Sequence, residues 1–349
     1  MDKTGKNMSD FTKLISTVCL LASLPALQSC VYEDMSGCSG NYMIPLAISN
    51  DWRYAPDAEP AGMAYFFFPD DGGRPWRFDT AGKDGGDVKV PDRVYSLVAV
   101  NDDFSTVVLE NADSFGGISV TTGSCQLFDA LGLESGRAGL PPSRSDGEGM
   151  PCQDVRYSPD MLWTDAVAEV HVSPGYLSYT LPDGHVVEET CRRDSHKLCL
   201  IDFPMCIVSR YHVRIEKVGN LGGVAMMSGA VSGLASSVRL ADGTPSAEAV
   251  TVPLRLEAAG IDSIEGDFLT FGRAAGPDAK NMLGLYVWLK DGSRHNYVFD
   301  VTGQVLAADD PMDVWITLKD ISLPESGPAS GSFDVNVDDW HTVVINLST

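Results

Sequence analysis

Almost every apolar segment after residue 41 is short and stops at Gly, Pro, Asp or Asn, and that punctuation limits the fold more than any other feature of the chain. Short apolar segments at roughly 8–12-residue spacing, with turn residues between them, read as strands of β-sandwiches. In the first half the expected strands are Tyr42–Ser49, Ala64–Phe68, Trp76–Phe78, Asp87–Val90, Tyr95–Val100, Thr106–Leu109 and Gly117–Thr121. Asp71-Gly72-Gly73 and Asp84-Gly85-Gly86 supply strong turns between them. Ala64-Tyr65-Phe66-Phe67-Phe68 is apolar at every position, which requires both faces of that strand to be covered. Ser124–Leu133 is the one short helix expected, with Ser124 as its N-cap.

The second half repeats the pattern. Val167–Val172, His196–Phe203 and Ile207–Lys217 alternate, and the last of these sends Val213, Ile215 and Val218 inwards and Arg214, Glu216 and Lys217 outwards. Gly284–Lys290 and His295–Val301 flank Asp291-Gly292, a favoured hairpin turn. Val314–Leu318, Phe333–Val337 and Thr342–Leu347 complete the expected set. Residues 222–237 are small and apolar, and strand, loop and helix all remain open there. Residues 136–160 are poor in large apolar side chains and rich in Gly, Pro and Ser, as a linker or long loop would be. The expected architecture is therefore all-β, with a first sandwich domain over 42–155 and a second over 156–349.

The N-terminus sets the address. Lys3, Lys6 and Lys13 precede the apolar run 14–27, which is too short for a transmembrane helix of ~20 residues. Leu27, Gln28 and Ser29 then lead into Cys30 in the arrangement of a signal peptidase II site. Residues 1–29 are expected to be a removable signal peptide, Cys30 the acylated residue, and 30–41 a tether. Each buried CH₂ adds about 0.8 kcal/mol, so several acyl chains on one Cys hold a protein firmly to a membrane. No later stretch is apolar enough to span a bilayer. The formal net charge is −23, which repels phosphate backbones and excludes nucleic acid as a partner. It also excludes attachment to anionic headgroups by charge, so a membrane link has to be covalent or protein-mediated.

Eight cysteines are present. Cys19 leaves with the signal peptide and Cys30 is the acylation site, which leaves Cys38, Cys125, Cys152, Cys191, Cys199 and Cys206 for at most one or two disulfides. No CxxC spacing occurs, so no zinc knuckle or thioredoxin-type centre is expected, and Cys199 and Cys206 read as buried small hydrophobes.

The usual chemical constellations are missing from the sequence. There is no G-x-S-x-G elbow, no P-loop and no HExxH, and the histidines at 171, 185, 196, 212, 295 and 341 are scattered. Asp79, Asp84 and Asp87 do not fit the spacing of a calcium loop. No catalytic residue, metal site or cofactor is expected, and the chain does not read as an enzyme. Trp52, Tyr54 and Trp76, beside Arg53, Arg74 and Arg77, are the candidate ligand-facing aromatics, because a flat ring matches the C–H face of a sugar. Packing of the same rings against the sandwich or its ends is the reading the pattern favours.

Cys30-Val31-Tyr32-Glu33-Asp34-Met35-Ser36-Gly37-Cys38 resembles the start of fimbrillin-like lipoproteins of Bacteroides-type bacteria, the group of type V fimbrial anchor and accessory subunits. Asn50–Tyr54, Phe66–Gly73, Pro75–Asp79 and Tyr95–Asn101 resemble an uncharacterised lipoprotein family of the same bacteria, and Phe333–Trp340 before a last apolar strand is again fimbrillin-like. The resemblance implies two transthyretin-like, Greek-key β-sandwiches and a lipid-anchored protein of the outer membrane, exposed at the cell surface. It implies the role of a fimbrial anchor or accessory subunit that pairs with other fimbrial subunits through β-strands. Residues 31–50 contain no Arg or Lys at which a stalk subunit would be cut, which favours a retained anchor. The last strand, Thr342–Leu347, is the candidate for pairing with a neighbour. The alternative is a stand-alone surface lipoprotein that binds a glycan or host ligand.

Overall fold

Alternation starts the fold at β1 (Met43–Asn50), where Ile44, Leu46 and Ile48 are buried and Met43, Pro45 and Ser49 face out. The chain continues through β2 (Gly62–Pro69), β3 (Trp76–Ala81), β4 (Gly85–Pro91) and β5 (Arg93–Asn101), then the short β6 (Val107–Glu110) and β7 (Ser119–Thr122). After a long excursion come β8 (Trp163–Ser173), β9 (Tyr176–Thr180), β10 (Val186–Thr190), β11 (Leu198–Asp202) and β12 (Met205–Cys206). The computed structural model describes residues 42–128, 149–190, 197–276, 279–327 and 340–345, with Met43–Thr349 falling in one contact unit. The expected strand Phe333–Val337 lies outside the described residues.

The first sandwich packs a three-stranded sheet, β11-β1-β4, over a larger sheet in the order β10-β9-β8-β5-β2-β3, with β12 paired to β8. Its core joins Ile44, Leu46 and Ile48 to Tyr65, Phe67, Tyr95, Leu97, Val170 and Leu200. The strand pairing does not follow the division expected at 155/156. β8 runs antiparallel to β5, from Arg93↔Val172 to Val100↔Thr164, and β11 lies parallel to β1, from Leu46↔Leu198 to Asn50↔Asp202. Residues 163–202 thus complete the first sandwich. Much of the Gly/Pro/Ser-rich stretch lies outside the described residues, and its composition reports only missing core residues, which loops and linkers share.

The second half of the chain continues through β13 (Ser209–Glu216), β14 (Val224–Ala235), β15 (Ser237–Arg239), β16 (Ala249–Arg255), β17 (Glu257–Ala258), β18 (Ile264–Thr270), β19 (Met282–Leu289) and β20 (Arg294–Asp300), followed by helix α1 (Thr302–Leu306), β21 (Asp313–Lys319) and β22 (His341–Ile345), and all its strands but β15 build the second sandwich. A four-stranded sheet, β17-β18-β13-β21, faces a five-stranded one, β16-β14-β19-β20-β22. Between them lie Tyr211, Val213, Ile215, Leu254, Leu285, Phe299 and Ile316. Val213, Ile215 and Val218 are buried as the alternation requires. β19 and β20 form the expected hairpin, with Gly292 at φ 89° in its turn, a value that favours glycine.

Residues 222–237, left open by their small side chains, contain the whole of the long interior strand β14. Small residues are required there by crowding. A Cβ on Gly229 would meet the Leu254 and Leu256 side chains below 3.0 Å. At Gly233, φ is 73° and a Cβ would lie 2.3 Å from the Lys280 carbonyl oxygen, at the point where the register with β16 shifts. The helix expected over Ser124–Leu133 is not entered at Ser124, which forms a bridge with Arg156 instead of capping, and residues 129–133 lie outside the described set.

A third sheet, β15-β7-β6, ties the two sandwiches together, because β7 from the first half pairs with β15 from the second. Beneath it Ala64, Phe66, Phe68, Val98 and Val100 from the large sheet pack with Ile118, Val120, Leu162, Val238, Leu240 and Phe271. This second core explains the unbroken apolar run of β2. Tyr65 and Phe67 fill the sandwich, while Ala64, Phe66 and Phe68 fill the junction, and burial of each large side chain contributes about 1.5–3 kcal/mol.

Candidate functional site

The structure brings together two of the three candidate aromatics. Directly after β1, Asp51 caps a single 3-10 turn over Trp52–Tyr54, its carboxylate accepting from the Arg53 backbone N–H at 3.1 Å and from Arg53 Nε at 3.0 Å. The Arg53 side-chain hydrogen bond holds the Asp51 carboxyl below the usual carboxylate range. Trp52 is half-buried. Its Nε1 donates to the Lys83 carbonyl oxygen at 2.9 Å, and its ring meets Trp163 edge-on at 6.2 Å. Tyr54 is 53% exposed and touches Phe203 with its ring edge, and the Arg53 guanidinium covers the same Phe203 ring at 4.8 Å.

Trp76 stands elsewhere. It opens β3 opposite Phe67, whereas the Lys83 carbonyl that holds Trp52 lies just past the far end of that strand. Five residues of extended chain put roughly 17 Å between the two ends of β3. Trp76 is 40% exposed, so no three-ring platform of Trp52, Tyr54 and Trp76 forms. The chain reverses after β3 and separates residues that the sequence reading had grouped by their shared Trp-Arg composition.

Beneath the 52–54 turn lies a polar group that the sequence reading missed. Asp202, at the end of β11, is fully buried, and neither of its carboxyl oxygens meets an N–H or hydroxyl donor. It faces the Asp165 carboxyl of β8, which accepts from the Ala166 and Phe203 backbone N–H groups, both at 2.8 Å. Burial, followed by the charge of Asp165, pushes the Asp202 carboxyl well above its ordinary value. Alternation in Leu198–Asp202 does place Asp202 on the buried side with Leu198 and Leu200, and that was the available signal. Tyr65 completes the surroundings by donating to Asn50 Oδ1 at 2.9 Å, and burial lifts its phenol to about 12.

The candidate assembly element, β22, forms as a strand over His341–Ile345. It lies parallel to β20 at the edge of the five-stranded sheet, in register from His295↔His341 to Phe299↔Ile345. Two side-chain features fasten its start. Trp340 packs on Phe128 at 5.6 Å and 18° and meets Trp288 and Tyr286 edge-on at 5.0 and 5.8 Å. His341 stacks on His295 at 5.2 Å. Burial and the neighbouring His341 push the His295 imidazole down, against an opposing pull from Asp291.

An exposed aromatic of the second sandwich follows from the alternation of β21. Val314, Ile316 and Leu318 face inwards on β21, which puts Trp315 on the outer face, stacked on His212. Among the described residues no group of three His, Cys, Asp or Glu side chains could hold a metal ion. Cys152, Cys199 and Cys206 carry free thiols, and burial pushes those of Cys199 and Cys206 up. Cys30, the expected lipidation site, and the preceding Leu27, Gln28 and Ser29 lie outside the described residues.

Comparison with solved structures returns surface proteins of the bacterial group to which the N-terminal motifs pointed. A candidate adhesin from Bacteroides ovatus ATCC 8483 matches with a TM-score of 0.59 at 19% identity, over 84% of this chain and 99% of that one. The fimbrial anchor protein Mfa2 of Porphyromonas gingivalis gives a TM-score of 0.42 at 14% identity, over 79% of this chain and 90% of its own. The tip fimbrial protein Mfa3 of the same organism gives 0.33 at 10% identity, over 81% and 96%. No protein of curated function matches the chain. Residues 29–255, well over half of the 349, match the family described as a domain of unknown function, DUF5119, and the chain belongs to that family.

Proposed function

We propose that this protein is a lipoprotein of the outer membrane, anchored through acylated Cys30 and exposed at the cell surface. There it acts as a fimbrial anchor or accessory subunit that joins other fimbrial subunits by β-strand pairing. The observation that carries this reading is the placement of β22. It is the terminal strand of its sheet, it pairs with β20 alone among the described strands, and its other backbone edge is unpaired there. An open edge supplies main-chain donors and acceptors for an added strand, and alternate side-chain positions supply selectivity. The fold shared with an adhesin candidate along 99% of that chain supports a surface role. The basic and apolar leader ending at Leu27-Gln28-Ser29-Cys30 supports the anchor.

The test is gentle, unboiled extraction of the tagged protein from its native outer membrane, followed by a denaturing gel. A detergent-resistant ladder that contains other fimbrial subunits, and that disappears when residues 341–349 are deleted, is expected. A single monomer band with no companions overturns the assembly role. Cys30→Ala is expected to move the protein out of the membrane fraction, and its retention there would refute the acyl anchor.

A further inference from the structure

Strand β21 carries an aromatic ring that the sandwich core does not use. Val314, Ile316 and Leu318 are buried, whereas Trp315 is 52% exposed. One face of its indole lies on the His212 imidazole, ring centres 4.2 Å apart and planes within 15°. His212 is held in turn by Asp313 Oδ1 at 2.9 Å from its Nε2. No other ring or cation among the described residues meets Trp315, so the indole stands in a fixed orientation with its opposite face open beyond the sheet edge.

The surroundings narrow what that face can receive. An added strand is blocked, because Gln304 of α1 already occupies the free edge of β21. Its Oε1 accepts from the Thr317 N–H at 2.7 Å and its Nε2 donates to the Thr317 carbonyl at 3.1 Å. A protein partner needs about 800 Å² per side with an apolar centre, and here a single ring rises from a face of paired charges such as Arg214 with Glu265 at 3.2 Å. Anionic ligands meet the Asp313 carboxylate and a chain of net charge −23. A single open aromatic face flanked by polar side chains suits one pyranose ring. Asp313 and Thr317 stand two residues either side of Trp315 on the same face, roughly 7 Å away along the strand, within reach of ring hydroxyls.

The geometry points to a glycan-binding site on the outer face of the second sandwich. Trp315 is its stacking platform, His212 holds the platform, Asp313 and Thr317 bind hydroxyls, and the ligand is a neutral hexose oligosaccharide. This site shares no residue with β22 and stands or falls independently of assembly.

The experiment is titration of the full chain in detergent with cellohexaose, mannohexaose and maltohexaose, read by tryptophan fluorescence and calorimetry, with a hexagalacturonate as the anionic control. At least one neutral hexaose is expected to bind, and Trp315→Ala to weaken it about tenfold or more, while Tyr54→Ala has no effect. Trp315→Ala truncates an exposed side chain, so a cooperative melt within a few degrees of the parent's is the check that the variant folds. Absence of binding by all three neutral hexaoses overturns the proposal. So does binding that survives Trp315→Ala, or stronger binding of the galacturonate.

Discussion

Two sheets of this molecule use their outer faces in opposite ways. At its centre, in β2 and β5, the large sheet of the first sandwich is apolar on both sides, with Tyr65 and Phe67 in one core and Phe66 and Phe68 in another. The four-stranded sheet of the second sandwich is apolar on one side only. Its other side carries Arg214 bonded to Glu265 and Glu216, Lys319 bonded to Glu216, and Trp315 on His212. The first face is closed by the β15-β7-β6 sheet and ties the chain together. The second is left to solvent, where paired surface charges add only about 0–1 kcal/mol. In this molecule a continuous apolar strand marks a structural junction, and an alternating strand with one aromatic among charges marks a surface free to bind.

The sharpest way to break that contrast is to truncate one ring on each face. Phe66→Ala is expected to cost about 3–5 kcal/mol in urea unfolding even though it lies outside the first sandwich's own core. Trp315→Ala is expected to cost no more than about 1 kcal/mol, the worth of one cross-strand pair. Equal losses at the two positions would mean that the outer faces do not differ in the way the packing indicates.

A smaller effect distinguishes apolar burial from polar burial inside the first sandwich. The Asp202 carboxyl is raised in the folded state by burial and by Asp165. In the unfolded chain it returns to about 3.9. Its protonation therefore favours the folded state most below that value, and stability falls as pH rises through the folded-state pKa. Asp202→Asn imitates the protonated form without titrating. It is expected to be more stable than the parent at pH 7 and above by on the order of 1–3 kcal/mol, and to flatten the pH dependence. Chemical denaturation at pH 4, 5.5, 7 and 8.5 measures this. A variant less stable than the parent at every pH would show that Asp202 is ionised and usefully solvated.

The faces were legible in the sequence wherever alternation was clean. Val213, Ile215 and Val218 went inwards as read, and the unbroken run at Ala64–Phe68 announced two covered faces. Strand order was not legible. Nothing local in Leu198–Asp202 reveals that it lies parallel to Met43–Asn50 some 150 residues earlier, and that long-range pairing is what moves residues 163–202 into the first sandwich. β14 was hidden because its Gly, Ala and Ser residues answer to crowding by Leu254 and Leu256, which only the assembled sheet creates. The distance of Trp76 from Trp52 and Tyr54 was hidden for the same reason, since it is set by a strand of six residues and the reversal after it. Trp315 was within reach of the alternation rule, because three inward aliphatics fix its outward direction.

The smallest expected effect concerns how the edge strand of the second sandwich is fastened. His295 titrates below its ordinary value because it is partly buried and faces His341, with Asp291 pulling the other way. A His whose folded pKa is depressed contributes stability above its unfolded pKa, near 6.5, and loses it as pH falls through the folded value. The loss here is local, since it falls on the pair that holds the first residue of β22 to β20. Amide hydrogen exchange of Thr342–Ile345 is expected to speed up between pH 7 and pH 5 beyond the intrinsic pH dependence. His295→Gln is expected to abolish that excess, while exchange in the buried β19 stays unchanged in both proteins. Excess exchange that persists in His295→Gln would assign the loosening of the edge to some other group.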